Sequence, residues 1–249
     1  MRIGLALLSL AVVTLAGTVS APAASIALVL AVDVSDSVST ERYVLQHDGI
    51  ARAFETPKLV EAIAAAPGGI EALVLEWSDP DKIAITVGWT RIANRASAAG
   101  FAAAVRATER TSHGLTAIGA ALLAAGVAFD HAPEPAAHKI IDVSGDGTAN
   151  FGPPPAGVRD RLVAQGVTIN GLAILTEEPW LADYYRENVI GGPAGFCLVA
   201  EDMDSFAEAM LKKLVQEVAG AHHDRLPRVG GGPGATVPSL APGFPLSRE

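Results

Sequence analysis

Six short stretches of the chain are apolar at nearly every position rather than at every second one: residues 26–32, 70–76, 83–89, 139–143, 167–175 and 196–200. A strand with one wet face alternates, whereas a strand apolar throughout is covered on both sides. These runs therefore predict a mostly parallel sheet held between two layers of helices. The second and third runs are separated only by Trp77-Ser78-Asp79-Pro80-Asp81-Lys82. That gap is too short for a crossover helix, so the pair is expected to form an antiparallel hairpin.

Between the other runs the pattern takes on a helical character. Ser39 or Thr40 is placed to cap a helix reaching about Phe54, with Glu41 favourable in its first turn. Asn94 opens an Ala-rich helix to about Thr108, and 116–129 is apolar nearly all round, which predicts a buried helix. Pro154 or Pro155 starts a helix closed by Gly166, and Ser205-Phe206-Ala207-Glu208 reads as a capping box before a final amphipathic helix. A hairpin followed by strand–helix alternation predicts an α/β, doubly wound three-layer sandwich. Its six-stranded sheet has the order 3-2-1-4-5-6, with one antiparallel edge strand.

The two ends differ from this globule. Met1-Arg2, an apolar stretch to Val19 and then Ala21-Pro22-Ala23 make a secretory signal peptide over residues 1–23, with cleavage expected after Ala23. Export to the periplasm or the medium follows, with no stable membrane anchor after cleavage. Residues 220–249 carry six Gly and five Pro and are expected to be a disordered tail, leaving 24–219 as the folded domain. His222-His223 in that tail is weak evidence for a metal. The excess of 27 acidic over 18 basic residues, a formal charge of −9, argues against nucleic acid and anionic membranes as partners. Cys197 is the single cysteine, so no intramolecular disulfide forms; it lies in an apolar run and reads as a small buried hydrophobe.

Three segments carry chemistry. The first strand ends in Asp33-Val34-Ser35-Asp36-Ser37, the segment His113-Gly114-Leu115-Thr116 places a hydroxyl at a helix start, and the fourth run leads into Ser144-Gly145-Asp146-Gly147. Carboxylate and hydroxyl oxygens are hard donors, suited to Mg²⁺, Ca²⁺ or Mn²⁺. In the predicted strand order the first and fourth strands are neighbours, so Asp33 and Asp146 meet where the sheet reverses direction. Asp36 and Asp142 are rivals for a ligand role. His113 reads as a neighbour of the site rather than a ligand, and Trp77 and Trp89 as core residues.

D-x-S-x-S, then a threonine, then Asp in Ser-Gly-Asp-Gly resembles the metal-ion-dependent adhesion site of von Willebrand factor A domains. The resemblance covers about residues 26–219. The stretch Tyr184-Tyr185-Arg186-Glu187-Asn188-Val189-Ile190-Gly191-Gly192 further resembles an uncharacterised bacterial branch of exported proteins with this fold. It implies that Asp33, Ser35, Ser37, Thr116 and Asp146 hold the cation, and that a protein partner completes the ion with an Asp or Glu carboxylate. Leu115 departs from the pattern, which often has Gly there. The function expected is a binding module rather than an enzyme. A metal-dependent hydrolase at the same strand ends is the competing reading; Ser35 stands where an aspartyl phosphotransferase commonly has a second Asp, and these motifs bring no general base nearer than His113. No G-x-G-x-x-G follows the first strand, against dinucleotide binding.

Overall fold

The computed structural model describes residues 23–223; residues 1–22, nearly all of the expected signal peptide, and most of the expected disordered tail lie outside the described residues. The strands are β1 (Ile26–Asp33), β2 (Ile70–Trp77), β3 (Ile83–Ile92), β4 (His138–Gly145), β5 (Val167–Ile174) and β6 (Cys197–Ala200). They form one sheet in the order β3-β2-β1-β4-β5-β6, parallel except for the β2–β3 hairpin. This is the expected topology. β1 shows why its sequence cannot alternate: Ile26, Leu28, Leu30 and Val32 enter one apolar cluster, and Ala27, Val29 and Ala31 enter another on the opposite face. β3 is the antiparallel edge strand expected, but it is not covered on both faces: it is half-exposed along most of its length, with Ile85 56% exposed.

On one face of the sheet lie α1 (Thr40–Glu55), α2 (Pro57–Ala65), α3 (Arg95–Arg106) and α7 (Phe206–His223); on the other lie α4 (Ile118–Ala128), α5 (Pro155–Ala164) and α6 (Leu181–Asn188). Ser39 caps α1, accepting from the Arg42 backbone N–H, and Asn94 caps α3 through a reciprocal bond with Ser97. α2 is an element the hydrophobic pattern did not signal; Thr56 alone separates it from α1 and Pro57 occupies its first turn, where a missing N–H is harmless. α4 is less enclosed than its composition predicts, with Leu123 and Val127 in solvent. The capping box read at Ser205 and Glu208 falls one turn earlier: Asp202 accepts from Ser205 N–H (2.8 Å) and Ser205 Oγ accepts from Asp202 N–H (3.1 Å). α7 continues through His223, four residues beyond 219, where the folded part was expected to end. Among the described residues no helix is long and apolar enough to cross a membrane.

α7 is fastened to the sheet by charge. Lys213 is fully buried, its Nζ 2.5 Å from Asp142 Oδ1 on β4 and 2.6 Å from Glu217 Oε1 one turn on. Asn170 of β5 donates to the same Glu217 oxygen at 2.8 Å. Asp142 therefore points away from the strand-end site, and its partner is a lysine from the last helix. Burial alone favours the neutral amine of Lys213, but the two carboxylates outweigh it and raise its pKa. Burial likewise pushes Glu217 up to about 7 despite the lysine. Removing one member of such a group strands the others. Lys213→Ala should lower stability by about 3–5 kcal/mol, read as a lower urea midpoint at unchanged slope.

Candidate metal centre

The carboxyl ends of β1 and β4 lie side by side, with Val32 paired to Ser144 in the last rung. Asp33 closes β1 and is fully buried. Its Oδ1 accepts the Ser35 N–H at 2.7 Å, which bends the chain out of the strand. Val38 N–H then bonds Ser35 O at 3.0 Å, closing a tight turn in which Ser35 and Ser37 stand on one side, their Oγ atoms 3.2 Å apart. Ser37 Oγ donates to Asp146 Oδ1 at 2.5 Å across 109 residues. Asp146 is also fully buried, just beyond the end of β4. Gly145 makes this closeness feasible: a Cβ there would stand 2.8 Å from Asp33 Oδ2 and 2.8 Å from the Tyr185 hydroxyl.

Thr116 comes from the loop before α4 and is buried. Asn150 pins it at both ends, accepting Thr116 N–H at 2.8 Å through Oδ1 and donating its own N–H to Thr116 O at 3.1 Å. Thr116 Oγ1 lies 3.8 Å from where a Cβ of Gly147 would be, which puts it against the loop that follows Asp146. The structure thus gathers all five sequence-selected residues at one sheet edge. Asp36 and His113 stay outside, both side chains largely in solvent, with His113 Nδ1 3.9 Å from Asp36 Oδ1.

Several residues that shape the site escaped the sequence reading. Arg110 donates to the carbonyls of Val34 (2.6 Å), Ser35 (2.8 Å), Val38 (2.6 Å) and Ser112 (3.0 Å), clamping the first loop from beneath. Glu76, buried at the end of β2, accepts from the Tyr43 hydroxyl (2.8 Å) and from Thr111 N–H (2.9 Å) and Oγ1 (2.7 Å), with His47 Nε2 3.1 Å away. Burial pulls its pKa up, but these partners outweigh it and hold the carboxyl low. At the rim, Arg42 Nη1 donates to Ser37 O (2.9 Å) and Glu177 Oε1 (2.7 Å) and stands 3.5 Å from Asp146 Oδ2. Glu178 accepts from Thr148 N–H and Oγ1 at 3.2 Å each. Only local polarity marks such residues in sequence, since no fixed spacing ties them to the ligand motif.

Asp33 carries the electrostatic signature. Burial, then the charge of Asp146, push its pKa up to about 7, and the bonds from Ser35 do not offset them. Burial also raises Asp146. Asp33 Oδ2 is buried and has no hydrogen-bond partner among the described residues. Among those residues no three His, Cys, Asp or Glu side chains cluster closely enough to hold a metal. The oxygen set is instead two carboxylates with three hydroxyls. An orphaned buried oxygen beside a second carboxylate and neutral hydroxyls fits a hard divalent cation.

The order of strands and the placement of these loops are those of a von Willebrand factor A fold. Solved structures agree: proximal thread matrix protein 1 from the mussel byssus, with a zinc-occupied MIDAS motif, superposes with a TM-score of 0.57 at 17% identity over 79% of this chain and 46% of that one. The pilus adhesin SpaC from Lactobacillus rhamnosus GG gives 0.57 at 12% over 78% and 30%. The vWF domain of the type V pili tip protein Mfa5 from Porphyromonas gingivalis gives 0.55 at 11% over 79% and 96%. The chain spans less than half the length of the mussel and SpaC proteins. A family model described as "Protein of unknown function (DUF1194)" matches residues 23–222, and the chain belongs to that family. No curated protein matches it significantly.

Two outcomes follow from the geometry. With cation removed by chelator, Asp33 and Glu217 keep protons in the folded state that the unfolded chain releases near the ordinary 3.8 and 4.5. Stability should therefore fall as pH rises from about 4 to about 7. Asp33→Asn should flatten part of that slope in melts across the range. Arg110→Lys, which cannot reach four carbonyls at once, should lower cation affinity roughly 10–100-fold by calorimetry, with the far-ultraviolet dichroism unchanged.

Proposed function

We propose that this protein is an exported, metal-dependent binding module of adhesion type. Asp33, Ser35, Ser37, Thr116 and Asp146 hold a divalent cation, Mg²⁺ or else Ca²⁺ or Mn²⁺, and a carboxylate from a protein partner completes its coordination. The observation that carries this reading is the buried Asp33 Oδ2 without a hydrogen-bond partner, beside a second buried carboxylate. A bound cation supplies an electrophilic point on which a carboxylate oxygen can settle. The chain's own groups do the rest: two acids balance the double charge, and the hydroxyls contribute oxygen without further charge. An incoming acid is then drawn by a centre that its own surroundings have not saturated.

The neighbours add support of a general kind. Two are pilus proteins and one is a byssus matrix protein with zinc in its MIDAS motif. Residues 1–23 act in this reading as a leader, placing the domain in the periplasm or outside the cell. The amino terminus of the exported protein should then be Ala24 by Edman sequencing.

Mg²⁺ or Mn²⁺ at ten times its dissociation constant should stabilise the protein by about 1.4 kcal/mol, a rise of roughly 3–6 °C in Tm. Asp33→Ala should abolish the rise, and Thr116→Ala should weaken partner binding with the fold retained. An equal rise in wild type and Asp33→Ala would place the cation elsewhere. Metal-dependent hydrolysis of phosphate esters lost in Asp33→Ala would turn the site into that of a hydrolase.

A further inference from the structure

Three large apolar side chains stand in solvent on the loops that surround the candidate metal centre: Leu115 (45% exposed), Phe151 (53%) and Trp180 (62%). The other exposed large apolar residues lie on the faces of α1, β3 and α4. The three loops are bonded to one another. Thr116 and Asn150 join the first to the second, and Thr148 and Ala149 join the second to the third through Glu178 and the Tyr184 hydroxyl.

Each apolar residue is also presented on restrained backbone. Leu115 follows Gly114, whose φ of +148° suits glycine and whose carbonyl accepts the Asp36 N–H; Leu115 N–H itself is held by Asp79 at 2.6 Å. Phe151 precedes Gly152 and three consecutive prolines, and Trp180 follows Pro179. Proline fixes φ, so little backbone freedom remains to lose when these side chains are covered. Large apolar groups held rigidly in water around a charged centre are the layout of a docking surface, in which anchors rim a polar focus.

We propose that the partner of this site is a protein segment whose metal-binding Asp or Glu is flanked by apolar side chains that pack on Leu115, Phe151 and Trp180. The inference rests on the metal-dependent reading above and adds to it the chemistry of the residues beside the acid. The metal-dependent reading fixes the acid. The chain carries a net −9, with Asp36 and Glu177 exposed nearby, so an acidic segment gains little from the surroundings except at the cation and Arg42. Apolar flanks supply the remaining attraction without adding charge.

The test uses the full chain and an array of short synthetic peptides with a central Glu, Asp, Gln or Asn and randomised flanks, probed in Mn²⁺ and in chelator. Glu or Asp peptides with aromatic or aliphatic flanks should bind at least about tenfold tighter than those with polar flanks, in Mn²⁺ only. The triple variant Leu115→Ser, Phe151→Ser, Trp180→Ser should lose that preference while keeping the Mn²⁺-induced rise in Tm, which shows it folded and loaded. Acid selected without regard to its flanks would overturn the proposal and leave the metal reading standing. Apolar flanks selected equally around Gln and in chelator would retain the surface and remove the metal reading. A Mn²⁺-dependent dimer by sedimentation, with no peptide selected, would make the occupant a second copy and overturn the proposal.

Discussion

The parallel pairing of β1 with β4 is the constraint from which the rest of the site follows. It places residues more than a hundred positions apart on adjacent strand ends, and it does so only because both strands run the same way. The chain leaves β1 toward one face of the sheet and β4 toward the other, so the two ends open into a shared cleft instead of being roofed by one helix. Gly145 lets the backbones close, Ser37 bridges them, and Arg110 holds the first loop in the shape that the bridge needs.

β4 carries two buried acids with opposite fates. Asp142 faces α7 and meets a lysine from the same chain, a closed arrangement that ties helix to sheet. Asp146, beyond the strand's end, lies close to Asp33, accepts from the Ser37 hydroxyl, and has a peripheral arginine at 3.5 Å as its counter-charge. The first arrangement has its counter-charge from within the fold. The second leaves negative charge in a buried place, a cost that a fold retains where something else supplies the compensation.

The sheet was legible from sequence because its strands are apolar on both faces and one connection is too short for a helix; these two facts fix the strand order almost alone. The closeness of the candidate site residues was legible because each lies within a few residues of a strand or helix end, where position in the chain determines position in space. The remainder was not. α2 is a short helix whose pattern merges with the end of α1, and β3 reads as doubly covered although the edge leaves it half in water. Arg110, Asn150 and Glu76 act through contacts made across long stretches of chain, and the residues that recruit them leave no periodic trace. Leu115, a departure from the resemblance when viewed as a motif position, became informative once its exposure was visible.

The cleft's assembly from distant segments has a consequence in time. Ser37 and Asp146 are bridged across 109 residues, and Thr116 joins them from a third segment. No fragment emerging during synthesis holds these oxygens together, because β1, although paired with β2 on one side, has no partner on the other until β4 is made. A cation held by these oxygens would thus be reserved for the finished molecule, and its loss would register an opening of the β1–β4 seam.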